Sequence, residues 1–252
     1  MMELDYRLDG PDNAPVLVLS NSLGTMWNSW DEQFSEWRKY YRVLRYQTRG
    51  HGDSPSGETP FTLAQLGQDV VALLDHLNIA RAHFCGISLG GLTGLWLNRY
   101  AASRIDRLVV ANTAARIGQR DAWLARAAQV REQGLSALAA SAPQRWFTQE
   151  YIEQRPGIVE NFIDQLEQLS PQGYAACCEA LASADLRNEL EGMSRPLLVI
   201  AGEQDPVTTV EDAQRIVSQC AQSQLVTLPA SHLSNVECSV PFCQHVLKFL
   251  NE

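Results

Sequence analysis

The sequence predicts an α/β fold: a mostly parallel, doubly wound sheet with helices on both faces and a helical insertion late in the chain. Three observations carry this. Short continuous apolar runs recur along the chain, the pattern of strands buried on both faces of a parallel sheet. Helical apolar patterns alternate with those runs. The alternation lapses between residues 116 and 191, where helical patterns rich in Ala, Gln, Glu and Arg follow one another without a strand-like run.

The first run is Val16-Leu17-Val18-Leu19, and the second is Val43-Leu44. Between them Trp27, Trp30, Phe34 and Trp37 fall on one helical face, a spacing that reads as core packing. From Thr62 the chain reads Thr-Leu-Ala-Gln, a capping box, and Leu63, Leu66, Val70, Leu73, Leu74 and Leu77 then share a face. A strand pattern follows at Ala82-His83-Phe84-Cys85, a helix with Leu92, Leu95 and Trp96, and another strand at Leu108-Val109-Val110-Ala111. Pro143, Pro156 and Pro171 punctuate the insertion. Strand patterns resume at Leu197-Leu198-Val199-Ile200 and Leu225-Val226-Thr227-Leu228, ahead of a terminal helix. The expected organisation is a core domain, residues 1–115 and 192–252, with residues 116–191 as a helical cap over the sheet's active end.

At 252 residues the chain can bury a full core without metals or disulfides. Its 45% apolar and 19% charged composition is that of a globular protein. A formal charge of −9 argues against nucleic-acid and anionic-membrane partners. An anionic small molecule would need local capture, and arginine is the available cation, since only Lys39 and Lys248 are lysines. The six cysteines lack C-x2-C spacing, so reduced thiols and no metal are expected. No signal peptide or membrane-length run is visible, which makes the cytoplasm the expected compartment.

After Cys85 comes Gly86-Ile87-Ser88-Leu89-Gly90-Gly91, a G-x-S-x-G motif between a strand and a helix. The glycines fit a turn too cramped for neighbouring Cβ atoms, and that turn lifts the Ser88 hydroxyl to the end of the sheet. A serine attacks at neutral pH only if a base accepts its proton. Among His51, His76, His83, His232 and His245, only His232 follows the final strand in a loop on the nucleophile's side. The others read as structural or surface residues. A third group must hold the imidazole in the right tautomer. Asp205, just past the Leu197 strand and before Pro206, completes the chain order Ser, Asp, His. Asn112 and Thr113 occupy the preceding strand's loop and offer no rival acid. The amides of Leu89 and of Leu23, in Ser20-Asn21-Ser22-Leu23-Gly24, are the candidate oxyanion donors.

With Arg49-Gly50-His51-Gly52-Asp53-Ser54 added, the chain resembles the α/β-hydrolase superfamily along its whole length. Gln47 stands where that superfamily often has an aspartate. More narrowly it is similar to the 3-oxoadipate enol-lactonases of aromatic-ring degradation. The matching segments are Leu19-Ser20-Asn21-Ser22-Leu23-Gly24-Thr25, Ala111-Asn112-Thr113-Ala114, Arg145-Trp146-Phe147-Thr148, Ala184-Asp185-Leu186-Arg187 and His232-Leu233-Ser234-Asn235-Val236-Glu237. The resemblance implies cofactor-free hydrolysis of 3-oxoadipate enol-lactone in the β-ketoadipate pathway. It also implies Trp146 and Arg187 as substrate-binding residues, the arginine taking the lactone's carboxylate. Fold and triad do not fix the substrate, so a carboxylesterase and a carbon–carbon bond hydrolase are alternatives. A non-catalytic ligand receptor on the same scaffold is an alternative of another class.

Overall fold

The structure is a computed structural model and describes residues 3–252. Seven strands form one sheet: β1 (Tyr6–Asp9), β2 (Val16–Ser20), β3 (Arg42–Tyr46), β4 (Ala82–Ile87), β5 (Ile105–Ala111), β6 (Leu197–Gly202) and β7 (Ser223–Leu228). Their spatial order is β1-β3-β2-β4-β5-β6-β7. Only β1 runs antiparallel, pairing Tyr6 with Tyr46 and Leu8 with Leu44. The other pairs are parallel, as between β2 and β4, where Leu17 faces His83 and Leu19 faces Cys85. The six apolar runs of the sequence are the six parallel strands. The sequence reading misses β1, an edge strand of four residues that alternates between half-buried and exposed and has no continuous apolar run.

The strand order reverses direction between β2 and β4. In a sheet of this kind ligands settle beyond the carboxyl ends of the strands at such a reversal, because the following loops diverge there and leave a crevice. The loop after β2 and the G-x-S-x-G turn after β4 flank that crevice.

The helices before the insertion are α1 (Asp31–Trp37), α2 (Leu63–His76) and α3 (Leu89–Tyr100). Both halves of the Thr62 capping box form, with Gln65 as the partner. The expected tryptophan helix is broken in two: Trp27–Trp30 is a turn of 3-10 helix and α1 begins at Asp31. Its face is also divided. Trp30 and Trp37 are fully buried against Phe242, with ring centroids 6.1–6.4 Å apart. Trp27 and Phe34 are half-buried and lie under the guanidinium groups of Arg7 and Arg45.

Six helices run between β5 and β6: α4 (Arg120–Gln133), α5 (Ser136–Ala140), α6 (Pro143–Trp146), α7 (Gln149–Gln154), α8 (Pro156–Glu167) and α9 (Pro171–Ser183). Pro143, Pro156 and Pro171 each occupy a first helical turn, where a missing N–H costs nothing. The insertion rests directly on the core: a Cβ on Gly173 of α9 would lie 2.3 Å from the carbonyl oxygen of Gly50. The chain ends with α10 (Val210–Gln219), α11 (Ser234–Glu237) and α12 (Ser239–Leu250). Helix α3 packs over β4 and β5 and against α2, and α1 packs on α12, which touches β7. No helix among the described residues is long and apolar enough to cross a membrane.

Candidate functional site

β4 ends at Ile87 and α3 begins at Leu89, so Ser88 alone forms the joint. It sits at φ 56°, ψ −115°, a strained conformation that costs an L-residue about 1–3 kcal/mol. The surroundings enforce it. The Ser88 amide donates to Ala111 O at 2.9 Å, and the Thr113 hydroxyl donates to Ser88 O at 2.8 Å. The flanking glycines permit it: a Cβ on Gly86 would lie 2.3 Å from Gly90 O, and one on Gly90 2.4 Å from Ser20 O.

His232 lies in the loop after β7, with Nε2 2.8 Å from Ser88 Oγ and Nδ1 2.8 Å from Asp205 Oδ2. All three residues are at most 6% exposed. With its proton on Nδ1, the imidazole donates to the carboxylate and accepts from the hydroxyl. Asp205 follows β6, and its side chain caps its own turn: Oδ1 accepts from the amides of Val207 at 2.8 Å and Thr208 at 3.1 Å. Oδ2 takes the Thr208 hydroxyl at 2.7 Å and Asn112 Nδ2 at 3.0 Å. Burial pushes the Asp205 carboxyl up, but the adjacent imidazole and the donors from His232, Asn112 and Thr208 outweigh it and hold the group below its ordinary value.

The loop after β2 closes the other side. Asn21 O accepts from Gly90 N at 3.1 Å, and Asn21 Oδ1 takes the Trp30 indole N–H at 3.0 Å. Gly24 N donates to His51 Nε2 at 3.0 Å, which gives His51 its structural part. Burial lowers the His51 pKa to about 4, keeping the ring neutral and able to accept. Gln47 Oε1 receives Asn21 Nδ2 and Trp27 N at 3.4 and 3.3 Å. Among the described residues, the amides of Leu23 and Leu89 donate to no backbone acceptor. Leu23 lines the cavity that holds Ser88, and Leu89 is the first residue of α3, where the helix dipole is positive.

That cavity, of about 240 Å³, has Ser88 and His232 on one side and the insertion on the other, including Trp123, Arg126, Arg145, Trp146 and Tyr174. Trp146 is thus where the sequence resemblance puts it. Arg187 is not. It is exposed, lies outside the lining, and spends its guanidinium on Asp185 at 2.7 and 2.9 Å. The cavity's cations are Arg126 and Arg145, and neither makes an ion pair among the described residues. Arg145 is committed to Ser141 O at 3.0 Å and Leu138 O at 3.3 Å. Arg126 stacks 4.8 Å from the Trp123 ring centroid. The sequence reading singled out neither for the carboxylate; the signal for Arg126 was its place one turn beyond Trp123 on an insertion helix. No group of three or more His, Cys, Asp or Glu among the described residues is placed to hold a metal ion.

Comparison with known proteins follows the same lines. The sequence model of the α/β-hydrolase fold matches residues 15–237. The chain is 52% identical to 3-oxoadipate enol-lactonase 2 of Acinetobacter baylyi, over 93% of this chain and 88% of that one. It is 46% identical to 3-oxoadipate enol-lactonase 1 of the same organism, over 96% and 90%. The crystal structure of the enol-lactonase from Burkholderia xenovorans superposes with a TM-score of 0.98 at 45% identity, covering 100% of this chain and 97% of that one.

Proposed function

The chain belongs to the α/β-hydrolase fold family and, within it, to the 3-oxoadipate enol-lactonases, hydrolases that open a lactone ring, and we propose that it does so through an acyl-serine on Ser88. In the proposed path Ser88 Oγ attacks the lactone carbonyl while His232 Nε2 takes its proton. Asp205 steadies the resulting imidazolium. The tetrahedral oxyanion is received by the amides of Leu23 and Leu89, donors already oriented before charge develops. Collapse of that intermediate breaks the ring C–O bond. The departing oxygen is an enolate, a better leaving group than a simple alkoxide, and His232 returns a proton to it. Water activated by His232 then hydrolyses the acyl-serine, and the enol tautomerises to the ketone.

The observation that carries this reading is the 2.8 Å pair of contacts joining His232 to Ser88 and Asp205 at the wall of a cavity that also holds two arginines without carboxylate partners among the described residues. The free carboxylate of the lactone fits Arg126, with Trp146 and Trp123 as apolar walls. Residues 116–191 act as a cap over a core of residues 1–115 and 192–252, and the reaction belongs to the cytoplasm, where six unpaired thiols would stay reduced. The test is enol-lactone hydrolysis by the wild type and by Ser88→Ala. The variant is expected to lose about 10³-fold or more in kcat. Parallel assays with aryl esters and ring-fission dienones separate the lactonase from an esterase or a carbon–carbon bond hydrolase. Negligible lactone turnover beside fast ester turnover would remove the substrate assignment.

A further inference from the structure

Two segments singled out in the sequence, Arg145-Trp146-Phe147-Thr148 and His232-Leu233-Ser234-Asn235-Val236-Glu237, meet in space. Glu237 ends α11, little more than one helical turn beyond His232. Its carboxylate accepts from Ser231 N, the residue before the histidine, at 2.9 Å. The same carboxylate accepts from Thr148 N at 3.3 Å and from the Thr148 hydroxyl. On the other side of the histidine, Leu233 N donates to Trp146 O at 2.9 Å. Both neighbours of His232 are therefore tied to the cap. Ser231 O is held as well, by Asn112 Nδ2 at 3.0 Å.

We infer that Glu237 is a positioning residue for His232, clipping the cap to the catalytic loop so that the imidazole meets Ser88 only while the cap is seated. The chemistry of the side chain suits the task. An ionised carboxylate offers about four lone-pair sites and no donor, so it can serve Ser231 N and both Thr148 donors at once. A shorter or neutral side chain cannot. The backbone that steadies His232 from the other direction belongs to Trp146, whose side chain lines the cavity. A substrate seated against Trp146 and the base that activates Ser88 thus share one rigid connection. Removing Glu237 leaves the Ser231 and Thr148 amides without their acceptor and frees the loop to relax. A displacement near 1 Å at a catalytic group lowers the rate on the order of 10²-fold.

The test uses the full chain with Glu237→Ala, Glu237→Gln and Thr148→Val. Glu237→Ala is expected to lower kcat on the order of 10²-fold with KM little changed. Labelling of Ser88 by a small fluorophosphonate, which needs His232 but no cap contact, should slow by the same factor. Glu237→Gln keeps one acceptor oxygen, enough for Ser231 N but not for the Thr148 donors as well, and should recover part of the loss. Thr148→Val should lower kcat in the same direction, and adding it to Glu237→Ala should change nothing further. Should Glu237→Ala fail to fold, Thr148→Val carries the same test, with kcat and the labelling of Ser88 falling together while KM changes little. Wild-type labelling by Glu237→Ala beside a raised KM would overturn the inference, leaving Glu237 a support for the cap alone. The inference rests on the acyl-serine reading, and the two fail separately. An active Ser88→Ala removes that reading, whereas an inert Ser88→Ala with a fully active Glu237→Ala removes only this one.

Discussion

Asn112, the residue after β5, sits at φ 45°, a left-handed conformation that asparagine tolerates better than most residues. From there its amide reaches two acceptors, Asp205 Oδ2 and Ser231 O, both at 3.0 Å, while its own oxygen takes the Ser234 hydroxyl. One buried side chain thereby sets the carboxylate against the loop that carries His232. Asn112→Ala should cost about 1–3 kcal/mol of stability by leaving buried partners unsatisfied. It should also lower kcat with little change in KM, which denaturant melts and steady-state rates on one preparation would show. Arg126 gives the opposite kinetic signature. A charge-assisted contact to a carboxylate contributes about 1.5–3 kcal/mol, so Arg126→Met should raise KM for the enol-lactone about tenfold to a hundredfold. Turnover of a neutral aryl ester should be unaffected; an equal loss on both substrates would mean that Arg126 supports the cap and not the ligand. Ser88, Asp205 and His232, which the structure brings into contact, could be picked out of the sequence because each stands at a fixed place relative to a strand. The sequence could not rank the arginines, because whether a guanidinium is spent on a neighbour, as Arg187 is on Asp185, depends on contacts that no local pattern records.

Among the elements, the insertion between β5 and β6 meets the core where α9 approaches the loop carrying Arg49 to Ser54. Gly50 and Gly173 approach so closely that a Cβ on either would strike the other's backbone, at 2.5 Å from Gly173 Cα or 2.3 Å from Gly50 O. Backbone cannot yield there as a side chain would. Gly173→Ala should therefore destabilise by about 1–3 kcal/mol, the usual cost of overpacking. Gly157→Ala is the matched control: it lies in α8 of the same insertion, nothing among the described residues stands within 4 Å of its Cβ, and it should gain up to about 1 kcal/mol from helix propensity. Urea midpoints that moved together would show that propensity, and not the Gly50 contact, governs the position. The same scale explains which elements the sequence disclosed. Strands buried on both faces, such as β6, leave an unbroken apolar run, and α2 carries its capping box in plain view. β1 is short and at the edge, and the tryptophan segment keeps its spacing while changing helix type at Asp31, so neither is visible to periodicity.

For the whole molecule, pH acts through a histidine that joins two parts of the site. His51 Nε2 accepts from Gly24 N in the loop after β2, and burial holds its pKa at about 4 against 6.5 for an ordinary histidine. The sign follows from proton uptake. Above 6.5 neither the folded nor the unfolded chain binds this proton, and the stability is complete. As pH falls from 6.5 towards 4, the unfolded chain takes up the proton and the folded one does not, so stability drops with each step. Over that window the loss is on the order of 3 kcal/mol. His83, whose pKa burial also lowers, adds in the same direction. Opposing both, the formal charge of −9 diminishes towards the isoelectric point near 5.1, relieving self-repulsion that is spread over the surface and screened by salt. The buried proton site should prevail because solvent does not screen it. His51→Gln, which can still accept from Gly24 N but does not titrate, should therefore show a shallower fall in urea midpoint between pH 6.5 and 4 than the wild type. Parallel curves for the two proteins would place the acid sensitivity elsewhere, and recovery of the wild-type midpoint by added salt would assign it to surface charge.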